Sequence, residues 1–457
     1  MSFASAAVPK QESAFKQLSV KLKAIANLGR LSALAEWDQL VMMPDSESAS
    51  DDRGDMLATL AAVIHERSTE AELGALIARA EAEALADERD LANVRLARRD
   101  FDMMTKIPAE LAERKAKLAS SAYASWAKAR PANDFKSFSP MLAECFAVAA
   151  EVARYTRTDE AELYDVALNE FESGMTAARC EVLFAEVQAV LKPLIAKVLA
   201  SPHQPSGAAL SGSFGTEAQV ALNTQIVRDL GFEQGRIDVS VHPFTTSFSP
   251  ADVRITSRFR ADEWYQGLAG SIHEAGHAMY ESALGRTGMP VDTALSMGVH
   301  ESQSLFWERH VGLSRAFWKY AGGKMRTGLG LTASDEELYG ATNAVSQSLI
   351  RVEADELTCD VHWSGLAIGY FPTYLLGAIM AAQLEHHMRL QMPDLDAKIE
   401  AGDFAPIRHW LNEKVHAQGS VPKSMDELLV RAVGEPLKTE YFLKYLKDKY
   451  TDLYHLD

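Results

Sequence analysis

At 457 residues the chain is long enough to bury a large core, and its 47% hydrophobic and 24% charged content is that of an ordinary globular protein. A formal charge of −17 weighs against nucleic acid and against an anionic membrane surface as partners, since each needs a basic face. Cys145, Cys180 and Cys359 lie far apart without CxxC spacing, and the first residues carry charge and no apolar run. The chain therefore reads as a cytoplasmic protein with free thiols and no secretory signal.

Apolar residues recur every three or four positions over Glu12 to Leu34, Ser48 to Arg67 and Glu70 to Met104, which predicts three long amphipathic helices. Pro108 opens a fourth, which Pro131 ends. Asn133 or Asp134 can cap the next, Phe135 to Arg157, and Met175-Thr176 precedes another that runs through Leu199 with a kink expected at Pro193. Ile237, Val239 and Val241 alternate, as do Val253, Ile255 and Ser257, so Arg236 to Phe259 predicts two or three short strands. An edge of such a sheet can pair with an extended peptide. Trp363 to Leu384 is uncharged, but Gly365, Gly369, Pro372 and Gly377 divide it into a turn and a buried helix rather than a membrane span. The fold class is mainly α. One large helical domain over residues 1–457 is expected, with an N-terminal lobe to about residue 200 and a catalytic lobe after it, enclosing a groove, and a small sheet beside the helix that follows it.

That helix carries His273-Glu274-Ala275-Gly276-His277. On a helix, positions 273 and 277 lie one turn apart on one face, so two imidazoles can converge on a metal ion while Glu274 reaches a water activated there. A catalytic zinc needs a third protein ligand and an open position for water. Gly298 to Glu308 supplies the candidates: a second helix can present Glu301, with His300 as its competitor, and Glu308 about two turns on can orient a ligand histidine. These parts describe a metallohydrolase in which Glu274 moves a proton from water to the leaving group. The metzincin extension is absent, because positions 280 and 283 are Tyr and Ala.

Several blocks occur together in order: Trp37-Asp38-Gln39 with Met42-Met43-Pro44, His242-Pro243-Phe244, Asp252-Val253-Arg254-Ile255-Thr256, the HEAGH segment, His300-Glu301-Ser302-Gln303, Ile350-Arg351-Val352-Glu353-Ala354-Asp355, Asp360-Val361-His362-Trp363 and Gly369-Tyr370-Phe371-Pro372-Thr373-Tyr374. In this the chain resembles the carboxypeptidase Taq family of zinc metallocarboxypeptidases. The resemblance implies a mostly helical homodimer with zinc at the floor of a deep groove. It implies one Zn2+ per chain on His273, His277 and Glu301, with Glu274 as general base and peptides with a free C-terminus as substrates. Co2+ or Mn2+ also suit these ligands. An arginine fork suits a terminal carboxylate, which points to Arg351, or alternatively Arg254. His242, His362, Tyr370 and Tyr374 are expected to line the groove or to donate to the oxyanion.

The resemblance fails at one place. In the family a long helical segment separates the IRxxAD and DxHW blocks, whereas here Asp355 runs almost directly into Asp360. Two other readings stay open: an oligopeptidase or dipeptidyl carboxypeptidase, and a zinc-stabilised helical scaffold that binds peptides without cleaving them.

Overall fold

The computed structural model describes residues 12–44, 46–130, 132–160, 162–240, 243–344 and 361–456. They divide into two compact units, one formed by the chain up to Lys106 with Gly285–Thr293, the other by Ile107–Leu284 and Ala294–Asp457.

The first unit holds α1 (Ala14–Val41), α2 (Glu47–Thr69), α3 (Ala71–Glu81) and α4 (Glu88–Lys106). Ser13 and Ser46 cap the first two through hydrogen bonds from the amides of Lys16 and Ala49. Leu18, Leu73, Leu76, Ile77 and Val94 form its core. The single helix expected over 70–104 is two. Asp87 accepts the amides of Arg89 (2.8 Å) and Asp90 (3.2 Å), so its side chain starts α4 afresh after a break at 82–87. The returning segment 285–293 is fastened here: Arg89 meets Asp292 at 2.7 Å, and Asn93 accepts the amide of Val291 at 2.9 Å.

The second unit continues with α5 (Ala109–Ala129), α6 (Phe135–Thr156), α7 (Leu163–Phe171), α8 (Ala177–Ala200) and α9 (Thr216–Leu230). Pro108 precedes α5, Asp134 caps α6 and Thr176 caps α8, as their positions predict, and α8 runs through Pro193 unbroken. Strands β1 (Arg236–Val239), β2 (Thr245–Ser249) and β3 (Asp252–Ser257) follow in the spatial order β1-β3-β2. β1 runs parallel to β3 with Ile237 beside Ile255, and β2 runs antiparallel with Thr245 beside Ile255. Buried Val253 and Ile255 make the central strand apolar, and α10 (Tyr265–Ala283) lies against the sheet.

Beyond it come α11 (Met297–Leu305), a π-helical turn at Phe306–Gly312, α12 (Arg315–Leu329), α13 (described over 335–344), α14 (Val361–Ser364), α15 (Pro372–Gln391), α16 (Leu395–Ala401), α17 (Ala405–Lys414), α18 (Met425–Val433) and α19 (Glu440–Leu453). The uncharged stretch from Trp363 is a short helix, a turn and then α15, whose Leu376, Ile379, Met380 and Leu384 are buried. No helix among the described residues is long and apolar enough to cross a membrane. Trp264, Trp307, Trp318 and Phe317 fill the core around α10. Fold and sequence agree on a mainly helical protein with one three-stranded sheet.

Candidate metal centre

Two glycines set the spacing of the helices that meet at the centre. A Cβ on Gly276 would lie 2.6 Å from the Gln303 carbonyl oxygen and 2.7 Å from the Ser304 Cα, so only glycine lets α10 lie this close to α11. Gly377 plays the same part on α15, where a Cβ would lie 2.9 Å from the Gly298 carbonyl oxygen and 3.0 Å from the Glu301 Cβ. The start of α11 is fastened from below. Ser296 caps it, and the buried Glu172 accepts the Gly298 amide at 3.0 Å. Burial pushes the Glu172 carboxyl up to about 7. Farther along, His416 meets the Gln303 side chain at 2.8 Å, and burial holds that imidazole neutral, with its pKa down to about 3.

This frame brings His273, His277 and Glu301 together. One donor atom from each lies within 4.8 Å of the other two, and His277 and Glu301 are buried. His273 Nε2 is 3.8 Å from Glu301 Oε1, and His277 Nε2 is 3.5 Å from Glu301 Oε2. Two ligands at zinc bond lengths in a tetrahedral arrangement lie about 3.4 Å apart, so the three residues fit such an ion with a small adjustment. The far nitrogens fix the rings. His273 Nδ1 meets Glu308 Oε2 at 2.7 Å, and His277 Nδ1 meets the His300 carbonyl oxygen at 3.1 Å. Both Nδ1 atoms therefore carry a proton, which leaves the two Nε2 atoms, both toward Glu301, as the ligating nitrogens.

The electrostatics favour a cation. Burial opposes charging of His273, but Glu301, then Glu308 and Glu274, outweigh it and raise its pKa to about 10. Burial likewise opposes ionisation of Glu301, yet His273 and His277 hold it down at about 2. His277 is pushed the other way, below its ordinary value, by burial and by His300. Without a metal the centre thus keeps a second proton on His273, at Nε2, and the ring is charged.

Glu274 is 7% exposed and turns toward β2, where the Thr245 hydroxyl lies 2.7 Å from its Oε2 and 2.9 Å from its own carbonyl oxygen. This partner, 29 positions away, left no signal in the sequence beyond its place in the predicted sheet. His300, the rival third ligand, does not join the group. Its ring stacks on His277 with centroids 4.2 Å apart, and its Nε2 pairs with Glu281 at 3.1 Å.

The remaining candidates fall into three sets. Arg254 forms a two-pronged ion pair with Asp252, both contacts 2.9 Å, and its guanidinium lies 4.8 Å from the centre of the Phe248 ring. His362, Tyr370 and Tyr374 form one aromatic cluster: His362 stacks on Tyr370 at 4.7 Å, and Tyr370 meets Tyr374 edge-on at 5.4 Å. Tyr374 lies on α15, one turn before Gly377. His242 and Arg351 lie outside the described residues, as does the junction between Thr358 and Val361.

A family model described as carboxypeptidase Taq (M32) metallopeptidase matches residues 17–360 and 359–450. The chain belongs to that family. Thermostable carboxypeptidase 1 of Thermus thermophilus is 34% identical over 511 residues, covering 97% of this chain and 99% of the relative. Carboxypeptidase 1 of Bacillus subtilis is 32% identical, covering 95% and 97%. The crystal structure of the M32 carboxypeptidase from Deinococcus radiodurans superposes with a TM-score of 0.88 at 32% identity, covering 97% and 100%. The protein is thus a metallocarboxypeptidase by family, with a His–His–Glu group able to hold the divalent metal. The family match divides at residues 359–360, where Asp355 runs closely into Asp360. The Thermus alignment spans more positions than this chain has residues, so that relative carries internal residues without a counterpart here.

Proposed function

We propose that the protein is a zinc metallocarboxypeptidase that releases single C-terminal amino acids from peptides. The observation that carries this reading is the convergence of His273 Nε2, His277 Nε2 and the Glu301 carboxylate beside a Glu274 held by Thr245. Bound there, zinc would lower the pKa of a water and polarise the scissile carbonyl. His273, His277 and Glu301 are its ligands in this reading, while Glu308 and the His300 carbonyl keep the two rings oriented. Glu274 takes the proton from the attacking water and returns it to the leaving amine. The Thr245 hydroxyl turns one carboxylate oxygen toward itself and leaves the other for that proton.

Substrate selection follows from complementary charge. Arg351 pairs with the terminal carboxylate of the peptide; Arg254, the alternative, already faces Asp252 and would have to share its fork. His362, Tyr370 and Tyr374 line the substrate site with His242, and a phenol among them donates to the developing oxyanion. β2 is an outer strand of the sheet next to Glu274, which supports strand-wise binding of an extended peptide. We further propose that the enzyme works as a cytoplasmic homodimer.

Replacing Glu274 with Gln tests the mechanism: zinc content should stay at one ion per chain while turnover falls by at least about a thousandfold, as expected for a residue acting at every proton transfer. Turnover within tenfold of the parent would remove Glu274 from the role. Full zinc occupancy with no hydrolysis by the parent protein itself would favour the scaffold reading.

A further inference from the structure

Glu308 faces His273, but its neighbours Arg309 and His310 line a separate cavity of about 590 Å3, walled also by α12, α15, α16 and α19. Six cationic side chains line it against five carboxylates, and a sixth carboxylate, Glu336, shares Arg315 from outside the lining. The carboxylates are all matched: Asp452 by Arg315, Glu400 by Lys319, Glu385 and Asp396 by Arg389, and Asp448 by Lys444.

Lys449 is different. Among the described residues no carboxylate lies within ion-pair distance of it. Its ammonium donates to the Leu313 carbonyl oxygen at 3.0 Å and the Tyr445 hydroxyl at 2.9 Å, two neutral acceptors for three N–H groups. Burial, and next the charge of Arg309, push its pKa down to about 7 against the opposing pull of Glu385 and Glu308. Beside it, His310 is 5% exposed, packs its ring 4.3 Å from that of Tyr445, and has no hydrogen-bond partner for Nδ1 among the described residues. A buried imidazole nitrogen left without a partner is costly unless something pairs with it.

We propose that this cavity binds a small inorganic anion, with the Lys449 ammonium as its main partner, the unpaired His310 Nδ1 as a second donor, and Arg309 adding positive charge from the same turn. The geometry sets this site apart from the metal centre, whose own residues do not line the cavity.

The test uses the zinc-loaded protein in a zwitterionic buffer, titrated separately with sodium chloride and sodium phosphate while Tm is followed. At least one salt should raise Tm saturably, and Lys449→Met, which keeps the aliphatic stem and removes the charge, should lose that rise. No saturable rise with either salt would overturn the proposal and leave Lys449 as a cap on the Leu313 carbonyl. A rise of equal size in Lys449→Met would overturn it too, by placing the anion at the metal or elsewhere. If Lys449→Met does not fold, Lys449→Gln keeps two donors without the charge. Its half-saturation concentration should be at least tenfold higher than the parent's, and an unchanged value counts against the site.

Discussion

Removing the carboxylate of Glu308 should weaken metal binding in a way that depends on pH. Glu308→Ala deletes the acceptor that holds His273 Nδ1 at 2.7 Å. Loss of such an outer partner of a ligand histidine costs about 10–100-fold in metal affinity. Proton competition hides part of that loss. With the His273 pKa near 10 in the metal-free centre, roughly one ring in 300 is neutral at about pH 7.5, and the metal must displace the proton from the rest. After Glu301, Glu308 is the largest contributor that raises this pKa, so its removal lowers the pKa and eases the competition while making the ligand less basic. Near pH 7 the two effects oppose each other and the apparent loss is small. Toward pH 9.5 proton competition falls to about fourfold and most of the loss emerges. Glu308→Gln, which keeps a neutral acceptor, should fall between. The assay is competition for zinc against a chromogenic chelator at the two pH values, with circular dichroism as a check on folding. An unchanged affinity at both pH values, or a loss larger near pH 7 than near pH 9.5, refutes the reasoning.

The same electrostatics predict that zinc binding at neutral pH releases close to one proton, measurable by calorimetry in buffers of different ionisation enthalpy; zero release would contradict a charged His273. Because its folded pKa is raised, His273 stabilises the metal-free protein below about pH 6.5, and that contribution is lost as pH rises toward 10. The Tm gap between zinc-loaded and chelator-stripped protein should therefore widen across this window, and a constant gap would count against the shift. Thr245→Val removes the hydroxyl at Glu274 Oε2 and should lower kcat by about 10–30-fold with zinc content unchanged, as expected for one hydrogen bond to a charged group; an unaltered kcat would show that Glu274 is oriented by other means. Gly276→Ala drives a methyl into the Gln303 carbonyl and should cost about 1–3 kcal/mol of stability while loosening the metal site. Unchanged Tm and zinc affinity would mean that the helices part freely.

What could be read from the sequence was local. His273 and His277 share a face because one helix fixes their spacing, and Asp134 and Thr176 cap helices because a cap acts over three residues. The choice between His300 and Glu301 turned on the rotation of α11 against α10. Adjacent helical positions point about 100° apart, and only packing through Gly276 and Gly377 fixes which of them faces the ligands. Thr245 and Glu172 reach the centre from 29 and 126 positions away, through folding alone. The break between α3 and α4 was hidden for the opposite reason: the apolar period carries on through it, and the single cap at Asp87 decided against the pattern. The arginine expected for the substrate carboxylate, Arg351, lies outside the described residues, so that part of the site still rests on resemblance.

The most direct test of the whole account is the product formed from an N-blocked peptide supplied with a free or an amidated C-terminus. Mass spectrometry should show single amino acids released in order from the free end and no cleavage of the amide. Equal cleavage of both, or dipeptides as the first product, would contradict a single-residue carboxypeptidase.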